Sequence, residues 1–275
     1  MATIGFLVAA DNATWKRYID AFTGALATKP KPSIKYEVAG GNPDNYLPKA
    51  QALVDLPVDV IFTSGTGPAR ACIQANANAV AAGKKPISVV FAAAGDPVKS
   101  GLVRTLKSPG GNLTGGSNQA ITLVFKRMEV MCAQFGADSV VGILGNDMVV
   151  ADEMQLATQA ATYYFNTPPV QEIVRAAGDF PTAIHNFKHK GVNAVFVCSD
   201  PVTHGNADSL DPAHTGMKTM HAFREYVDLH NGTLSYGPSL QQMFADAAGL
   251  VDQILAGASP ANLAVLMPSK IEQAP

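Results

Sequence analysis

Charged residues are scarce in this 275-residue sequence, and no stretch of it concentrates them. Only 15% of the residues are charged, and 20 basic side chains against 22 acidic ones give a formal net charge of −2. No cluster of five or more Lys and Arg residues occurs. Nucleic-acid-binding proteins depend on such basic surfaces, so DNA and RNA are excluded as expected partners. The 47% hydrophobic content likewise excludes a disordered chain.

The sequence also lacks a hydrophobic run that could span a membrane. Apolar stretches such as residues 87–94 have the length of a β-strand, far below the ~20 residues of a spanning helix. No basic segment with a small-residue cleavage site precedes the apolar residues 4–10. We therefore expect a soluble protein of one large or two modest domains, which either stays in the cytoplasm or has lost a secretion signal.

Residues that build metal centres and nucleophilic sites are few and scattered. Cys72, Cys132 and Cys198 lie in apolar segments, which favours buried thiols over a disulfide or a nucleophile. His185 and His189 stand four apart, but their polar neighbours predict a solvated helix face. No zinc-binding, nucleophile-elbow or phosphate-loop motif occurs. We expect no metal, no cofactor and no catalytic residues.

The sequence does contain a regular alternation of short apolar strands and amphipathic helices. Predicted strands cover residues 4–9, 34–38, 58–63, 86–92, 113–116, 139–144, 170–174 and 194–198. Predicted helices cover residues 15–26, 46–53, about 68–82, 97–106, 122–134, 151–164, 182–190 and 243–255. Parallel neighbouring strands need right-handed crossovers, so this order predicts an α/β protein with two doubly wound parallel-sheet lobes.

The loops that follow the predicted strands are small, polar and rich in glycine. In open parallel sheets the ligand binds beyond the carboxyl ends of the strands. The turn from Ser64 to Pro68 has the free N–H groups of a helix N-terminus, which predicts that it holds the acidic or polar end of a ligand. The candidate ligand-binding residues of these loops are Asp11, Asn12, Ser64, Gly65, Thr66, Gly95, Asp96, Ser117, Asn118, Asn146, Asp147, Ser199 and Asp200.

Four of these candidates are carboxylates, namely Asp11, Asp96, Asp147 and Asp200. Carboxylates at strand ends occur in hard-metal and phosphoryl-transfer sites. An Asp before a helix is also a favoured N-cap, and no Asp-x-Asp pair strengthens the case for a metal. Helix capping or hydrogen bonding to a ligand is therefore the favoured interpretation of all four.

Several blocks along the chain match, in order, the pattern of one known family. They lie at residues 62–66, 90–98, 100–103, 109–115, 223–227, 234–239 and 251–255. Together, over about residues 4–268, they resemble the substrate-binding proteins of ABC importers, in the group that includes tryptophan- and tyrosine-binding members. Residues 145–148 and 199–204 depart from the family pattern, which predicts reworked contacts in the second lobe.

The resemblance implies a type I periplasmic-binding fold whose chain crosses between lobes three times, near Asn118, Tyr236 and Leu263. The first lobe would comprise residues 1–118 plus 237–262 and the second residues 119–236 plus 263–275, with the ligand cleft between them. Tyr236 thereby joins the candidate ligand-binding residues.

The resemblance also implies what the protein does. A small molecule, such as an amino acid or an aromatic compound, would be bound unchanged by a monomer and handed to an ABC permease in the membrane. The location would be periplasmic or otherwise extracytoplasmic, with a signal peptide removed.

Two other classes of protein remain open. A two-lobed α/β enzyme would use the strand-end carboxylates and would turn its ligand over. A ligand-sensing regulatory core of the lactose-repressor type shares the fold, but a repressor needs a basic helix-turn-helix segment. No such segment precedes the first predicted strand in this sequence.

Overall fold

The computed structural model describes residues 1–9, 13–40, 42–119 and 121–275, without the side chains of residues 13, 14 and 201. In chain order the strands are β1 (Thr3–Val8), β2 (Ser33–Val38), β3 (Val60–Ser64), β4 (Ser88–Ala94), β5 (Leu113–Ser117), β6 (Val141–Gly145), β7 (Val170–Ile173), β8 (Ala194–Val197), β9 (Lys218–His221), β10 (Leu234–Pro238) and β11 (Ile271–Ala274). The α-helices are α1 (Ala13–Ala25), α2 (Tyr46–Asp55), α3 (Thr66–Ala81), α4 (Val124–Phe135), α5 (Asp147–Tyr164), α6 (Phe180–His189), α7 (Pro201–Gly205), α8 (Pro212–Thr215), α9 (Glu225–His230) and α10 (Leu240–Leu255). Short 3₁₀ helices occupy Pro43–Asn45, Ala177–Asp179, Ala207–Leu210 and Pro260–Asn262.

The chain divides into two units. Unit 1 comprises Met1–Gln119 and Leu240–Ser269, and unit 2 comprises Ala120–Ser239 and Lys270–Pro275. The third crossing between lobes was expected near Leu263. In the structure the third boundary between the two units lies between Ser269 and Lys270. The intervening segment stays with unit 1 because Val265 is buried in its core and the Leu266 N–H donates to the Gly115 carbonyl at 2.8 Å.

Unit 1 contains a five-stranded parallel sheet in the order β2-β1-β3-β4-β5. Alternation along the strands sends successive side chains to opposite faces. Phe6 and Phe62 meet Phe22 of α1 and Phe244 of α10 on one face, where the rings of Phe22 and Phe62 stack at 4.0 Å. The other face buries Leu7 against apolar residues of α2 and the alanine-rich side of α3. Helices therefore cover both faces of the sheet.

Unit 2 contains a six-stranded sheet in the order β11-β10-β9-β8-β6-β7, in which β11 runs antiparallel to β10 and the other pairs are parallel. On one face Ile143 and Phe196 pack with Met128 of α4 and Met154 of α5. On the other face α6 supplies Phe187 to a second cluster. The predicted fold class, α/β with two mostly parallel sheets, is confirmed.

One predicted helix is absent, because residues 97–106 form turns. The Asp96 carboxylate accepts the N–H groups of Val98 (3.1 Å) and Lys99 (2.9 Å), which starts a turn. Gly101 then takes a φ of +72°, outside the helical region. The helix prediction for this segment was wrong because its apolar spacing reflects a tight turn.

The residues considered for metal or thiol chemistry have ordinary structural surroundings. The three cysteines are free thiols; Cys72 and Cys198 are buried and Cys132 is half-buried. His185 and His189 are exposed, as predicted. Within the described ranges no three His, Cys, Asp or Glu residues are grouped in a way that could hold a metal ion. None of the helices in that part of the chain has the length and apolar character of a membrane span.

Candidate ligand-binding site

The turn between β3 and α3 leaves several hydrogen-bonding groups without a partner. Gly65 sits at φ 80° and ψ 168°, a conformation that favours glycine, and its N–H donates to the Ala92 carbonyl at 2.7 Å. No side chain caps α3. Among the described residues nothing bonds the hydroxyls of Ser64 and Thr66 or the N–H groups of Thr66 and Gly67. The positive end of α3 therefore presents four free donors at the carboxyl edge of the sheet.

Neighbouring strand ends in unit 1 are tied to each other. The Ser117 hydroxyl donates to the Gly95 carbonyl at 3.0 Å, and the Asn118 amide donates to the Ala93 carbonyl at 3.1 Å. Ala93 has a φ of +54°, so the backbone is irregular where β4 ends. Because β3, β4 and β5 are adjacent, the candidates of these three loops lie along one edge of the sheet. Asp96, as described above, caps a turn.

In unit 2 the loops after β6 and β8 are bound to each other. The buried Asp200 carboxylate accepts the N–H of Asn146 at 3.2 Å and caps α7 by accepting those of Val202 (2.8 Å) and Thr203 (3.1 Å). Burial raises the pKa of Asp200, and these N–H bonds oppose the rise. The side-chain amide oxygen of Asn146 caps α5 by accepting the N–H of Met148 at 3.1 Å. Both candidates therefore anchor helix N-termini.

Ser199 belongs to a buried ionic network. Its N–H donates to one Glu153 carboxylate oxygen at 3.0 Å and its hydroxyl lies 3.3 Å from the other. Arg127 donates to Glu153 at 2.9 Å and lies over the Phe196 ring at 5.2 Å. The side chains of Arg127 and Glu153 are each only 1% exposed. The hydrogen-bonding groups of Ser199 are thus directed into unit 2.

The two remaining candidates of unit 2 have different surroundings. Asp147 forms a bidentate pair with Arg175, with N–O distances of 2.8 and 2.7 Å, and this hydrogen bonding lowers its pKa. Tyr236 is half-buried on β10 and packs against the Met128 side of the core. In the sheet, β9 separates it from the loop that follows β8.

Two predicted site residues, Asp11 and Asn12, lie outside the described residues. In unit 1 the structure brings Ser64, Gly65, Thr66, Gly95, Asp96, Ser117 and Asn118 to one sheet edge. In unit 2 it links the loop of Asn146 to that of Asp200. Glu153 and Arg127 were missed. The available signal was a charge at an apolar helix position: Arg127 falls three residues after Val124 and four before Met131, both buried.

A second missed group is a cluster of buried and half-buried rings beside the loop after β8. The His221 ring stacks on Tyr226 at 4.4 Å, and the Tyr226 hydroxyl lies 2.8 Å from Nδ1 of His204. Burial first, and then electrostatic repulsion from His230, lower the pKa of His221 to about 3 and that of His204 to about 4. His230 itself pairs with Asp208 at 2.7 Å. Both histidines are therefore held neutral at neutral pH.

Comparison with known proteins assigns the class of protein. The chain belongs to the ABC transporter substrate binding protein family, whose sequence model matches residues 24–272. The resemblance seen in the sequence is thereby confirmed. Proteins of this family bind a small molecule for a membrane permease, and those of importers are extracytoplasmic. None of the curated proteins compared with the chain matches it.

Solved structures share the fold at low sequence identity. An ABC domain from Streptococcus pneumoniae in complex with L-tryptophan is 19% identical, with a TM-score of 0.85 over 99% of this chain and 90% of that one. A conserved domain protein from Vibrio cholerae is 20% identical, with a TM-score of 0.84 over the same shares. A solute binding protein from Bacillus halodurans with bound myo-inositol is 13% identical, with a TM-score of 0.67 over 99% and 94%.

Proposed function

We propose that this protein is the extracytoplasmic solute-binding component of an ABC importer and that its ligand is a small molecule with an anionic group, such as an amino acid or an aromatic acid. The observation that carries the ligand class is the turn between β3 and α3, which offers four free donors at the positive end of a 16-residue helix. A carboxylate satisfies N–H and hydroxyl donors together and is stabilised by the helix dipole.

The other unit 1 candidates would surround this anchor. The side chains of Ser117 and Asn118 donate to backbone carbonyls, so we assign these residues to shaping the carboxyl edge of the unit 1 sheet. From unit 2 we assign Asn146 and Tyr236 to the body of the ligand, since the Asn146 amide nitrogen and the Tyr236 hydroxyl have no hydrogen-bond partner among the described residues, although the Asn146 amide oxygen caps α5. The complex of L-tryptophan with a protein of the same fold supports an aromatic ligand, whereas the myo-inositol complex supports a polyol.

The strand-end carboxylates favour binding over catalysis. An enzyme of this fold would need at least one of them free to act as a base or to hold a metal. The three of them that lie in the described part of the chain are engaged: Asp96 accepts two backbone N–H groups, Asp147 is paired with Arg175, and Asp200 accepts three N–H groups. We infer that the ligand leaves the protein unchanged.

A thermal-shift screen tests the proposed function. Amino acids, aromatic acids, nucleosides and polyols are each added to the protein, and a ligand of the folded state raises Tm by mass action. We expect stabilisation by at least one acid, which mass spectrometry then recovers intact. Conversion of the ligand in proportion to protein and time would contradict the proposal, and stabilisation by polyols alone would contradict the ligand class.

Replacing Ser64 by alanine is expected to weaken the binding of a carboxylate ligand by ~10- to 150-fold, because a hydrogen bond to a charged group contributes ~1.5 to 3 kcal/mol. The hydroxyl does not cap α3, so Tm without ligand should change little. Calorimetric titration gives the affinity. Ser88→Ala, at the opposite end of the neighbouring strand, is the matched control. Equal affinities for the two variants would remove Ser64 from the site.

Ligand binding is also expected to bring the two units together by a hinge rotation, as the chain passes between them three times. Such closure lowers the radius of gyration. Small-angle scattering with and without a saturating ligand measures the change. Superimposable profiles would favour a preformed pocket instead.

A further inference from the structure

The ion pair between Arg127 and Glu153 spans elements that are far apart in sequence. Arg127 is on α4, Glu153 is on α5, and both side chains are 1% exposed. A buried pair of this kind loses about as much by desolvation as it gains by attraction, so stability alone is weak justification for it. The hydrogen bonds of the pair indicate a different role, because both carboxylate oxygens of Glu153 also face Ser199.

Hydrogen bonds continue from this pair to both candidate ligand loops of unit 2. Glu153 holds the N–H and the hydroxyl of Ser199, and the next residue, Asp200, holds the N–H of Asn146. The loops after β6 and β8 are thus joined to α4 and α5 through one buried carboxylate. The guanidinium of Arg127 lies against Phe196 of β8, which fixes the position of that carboxylate.

We propose that Glu153 is a positioning residue, which holds the loop of Ser199 and Asp200 in the arrangement that receives the ligand. This inference rests on the proposed function, since that loop is a ligand loop only if the protein binds a solute there. Glu153 acts through Ser199, while Arg127 neutralises its buried charge. The ion pair itself is dispensable, whereas the acceptor for Ser199 is required.

Two double variants separate these roles. In R127M/E153Q the buried charges are gone, but glutamine still offers an oxygen to the Ser199 N–H and an amide to its hydroxyl. In R127M/E153L the same charges are gone and Ser199 has no partner at position 153. A merely structural ion pair predicts that the two variants behave alike, because each replaces it by uncharged groups of similar volume.

The first measurement is hydrogen exchange at the amides of residues 198–203 without any ligand. We expect the Ser199 amide to exchange at least ~10-fold faster in R127M/E153L than in R127M/E153Q, because only the leucine variant leaves this N–H unbonded. The second measurement is calorimetric titration with L-tryptophan, in which the leucine variant should bind ~10-fold or more weakly than the glutamine variant.

The exposed pair of Lys84 and Asp55, at the amino edge of the unit 1 sheet, gives a control for the loss of an ion pair. K84M/D55L should match wild type in both measurements. Equal exchange of the Ser199 amide in the two test variants overturns the positioning role, as does equal affinity for L-tryptophan. Failure of wild-type protein to bind any compound of the screen overturns the proposed function instead, and the exchange measurement still decides how the loop is held.

Discussion

Acidification from pH 6.5 to 4.5 is expected to lower the free energy of unfolding by roughly 4 kcal/mol through two histidines of unit 2. His221 is 2% exposed and stacks on Tyr226, and His204 is half-buried beside the Tyr226 hydroxyl. Burial lowers the pKa of His221 to about 3 and that of His204 to about 4, so both remain mostly neutral in the folded protein at pH 4.5.

Acid lowers the free energy of unfolding because the pKa values of both histidines are lower in the folded chain than in the unfolded chain. The unfolded chain takes up protons at these histidines near pH 6.5, while the folded chain does so only near pH 3 to 4. The stability that they contribute is therefore complete above pH 6.5 and is lost as the pH falls, by ~1.4 kcal/mol per pH unit for a fully buried group. His221 accounts for ~2.3 kcal/mol between pH 6.5 and 4.5, because the unfolded histidine is already half-protonated at pH 6.5, and the half-buried His204 accounts for less. Asp200 works the other way, because its pKa is raised.

Urea unfolding between pH 7.5 and 4.5 measures this loss. His221→Phe keeps a ring against Tyr226 and costs no protein hydrogen bond, since the buried Nδ1 of His221 has no partner among the described residues. It should remove more than half of the acid-dependent loss. His185→Gln, at an exposed histidine, should leave the dependence of the free energy of unfolding on pH unchanged. If the free energy of unfolding of the His221 variant depends on pH as it does in wild type, other groups drive the acid transition.

The architecture was predictable because its signals are local. Buried parallel strands read as apolar runs, and α1, α3 and α10 carry their apolar residues at helical spacing. The short elements between β8 and β10 were not predicted, because helices of four to six residues and a four-residue strand are too short to show a period. Their positions depend on contacts within unit 2.

The candidate site was predictable to the same extent. Ser64 and Gly65 could be placed from the strand, the glycine and the following Pro68, all within five residues. The partner of Ser199 could not, because Glu153 lies 46 residues away and meets it only after the sheet of unit 2 has formed. A lone glutamate on an alanine-rich helix indicates a buried charge. It does not identify the group to which the carboxylate is hydrogen-bonded.

Replacing Gly115 by alanine is expected to destabilise the protein by about 3 kcal/mol, because a β-carbon there has no space. It would lie on the carbonyl oxygen of Phe91 and within 2.6 Å of the Phe91 ring. Phe91 precedes the irregular stretch in which β4 and β5 lose their regular register. Relief of the clash must push β5 away from β4, and the bonds from Ser117 and Asn118 to the end of β4 would lengthen.

The neighbouring Gly116 provides the control for this prediction. Its side chain would point to the opposite face, where an added β-carbon meets Met243 at 3.6 Å and the Leu266 carbonyl at 3.8 Å, both ordinary contact distances. Gly116→Ala should therefore change the free energy of unfolding by less than about 1 kcal/mol. Urea unfolding at neutral pH compares the two variants. Similar stabilities would show that β5 shifts without cost and that its close approach to Phe91 does not hold the sheet edge in place.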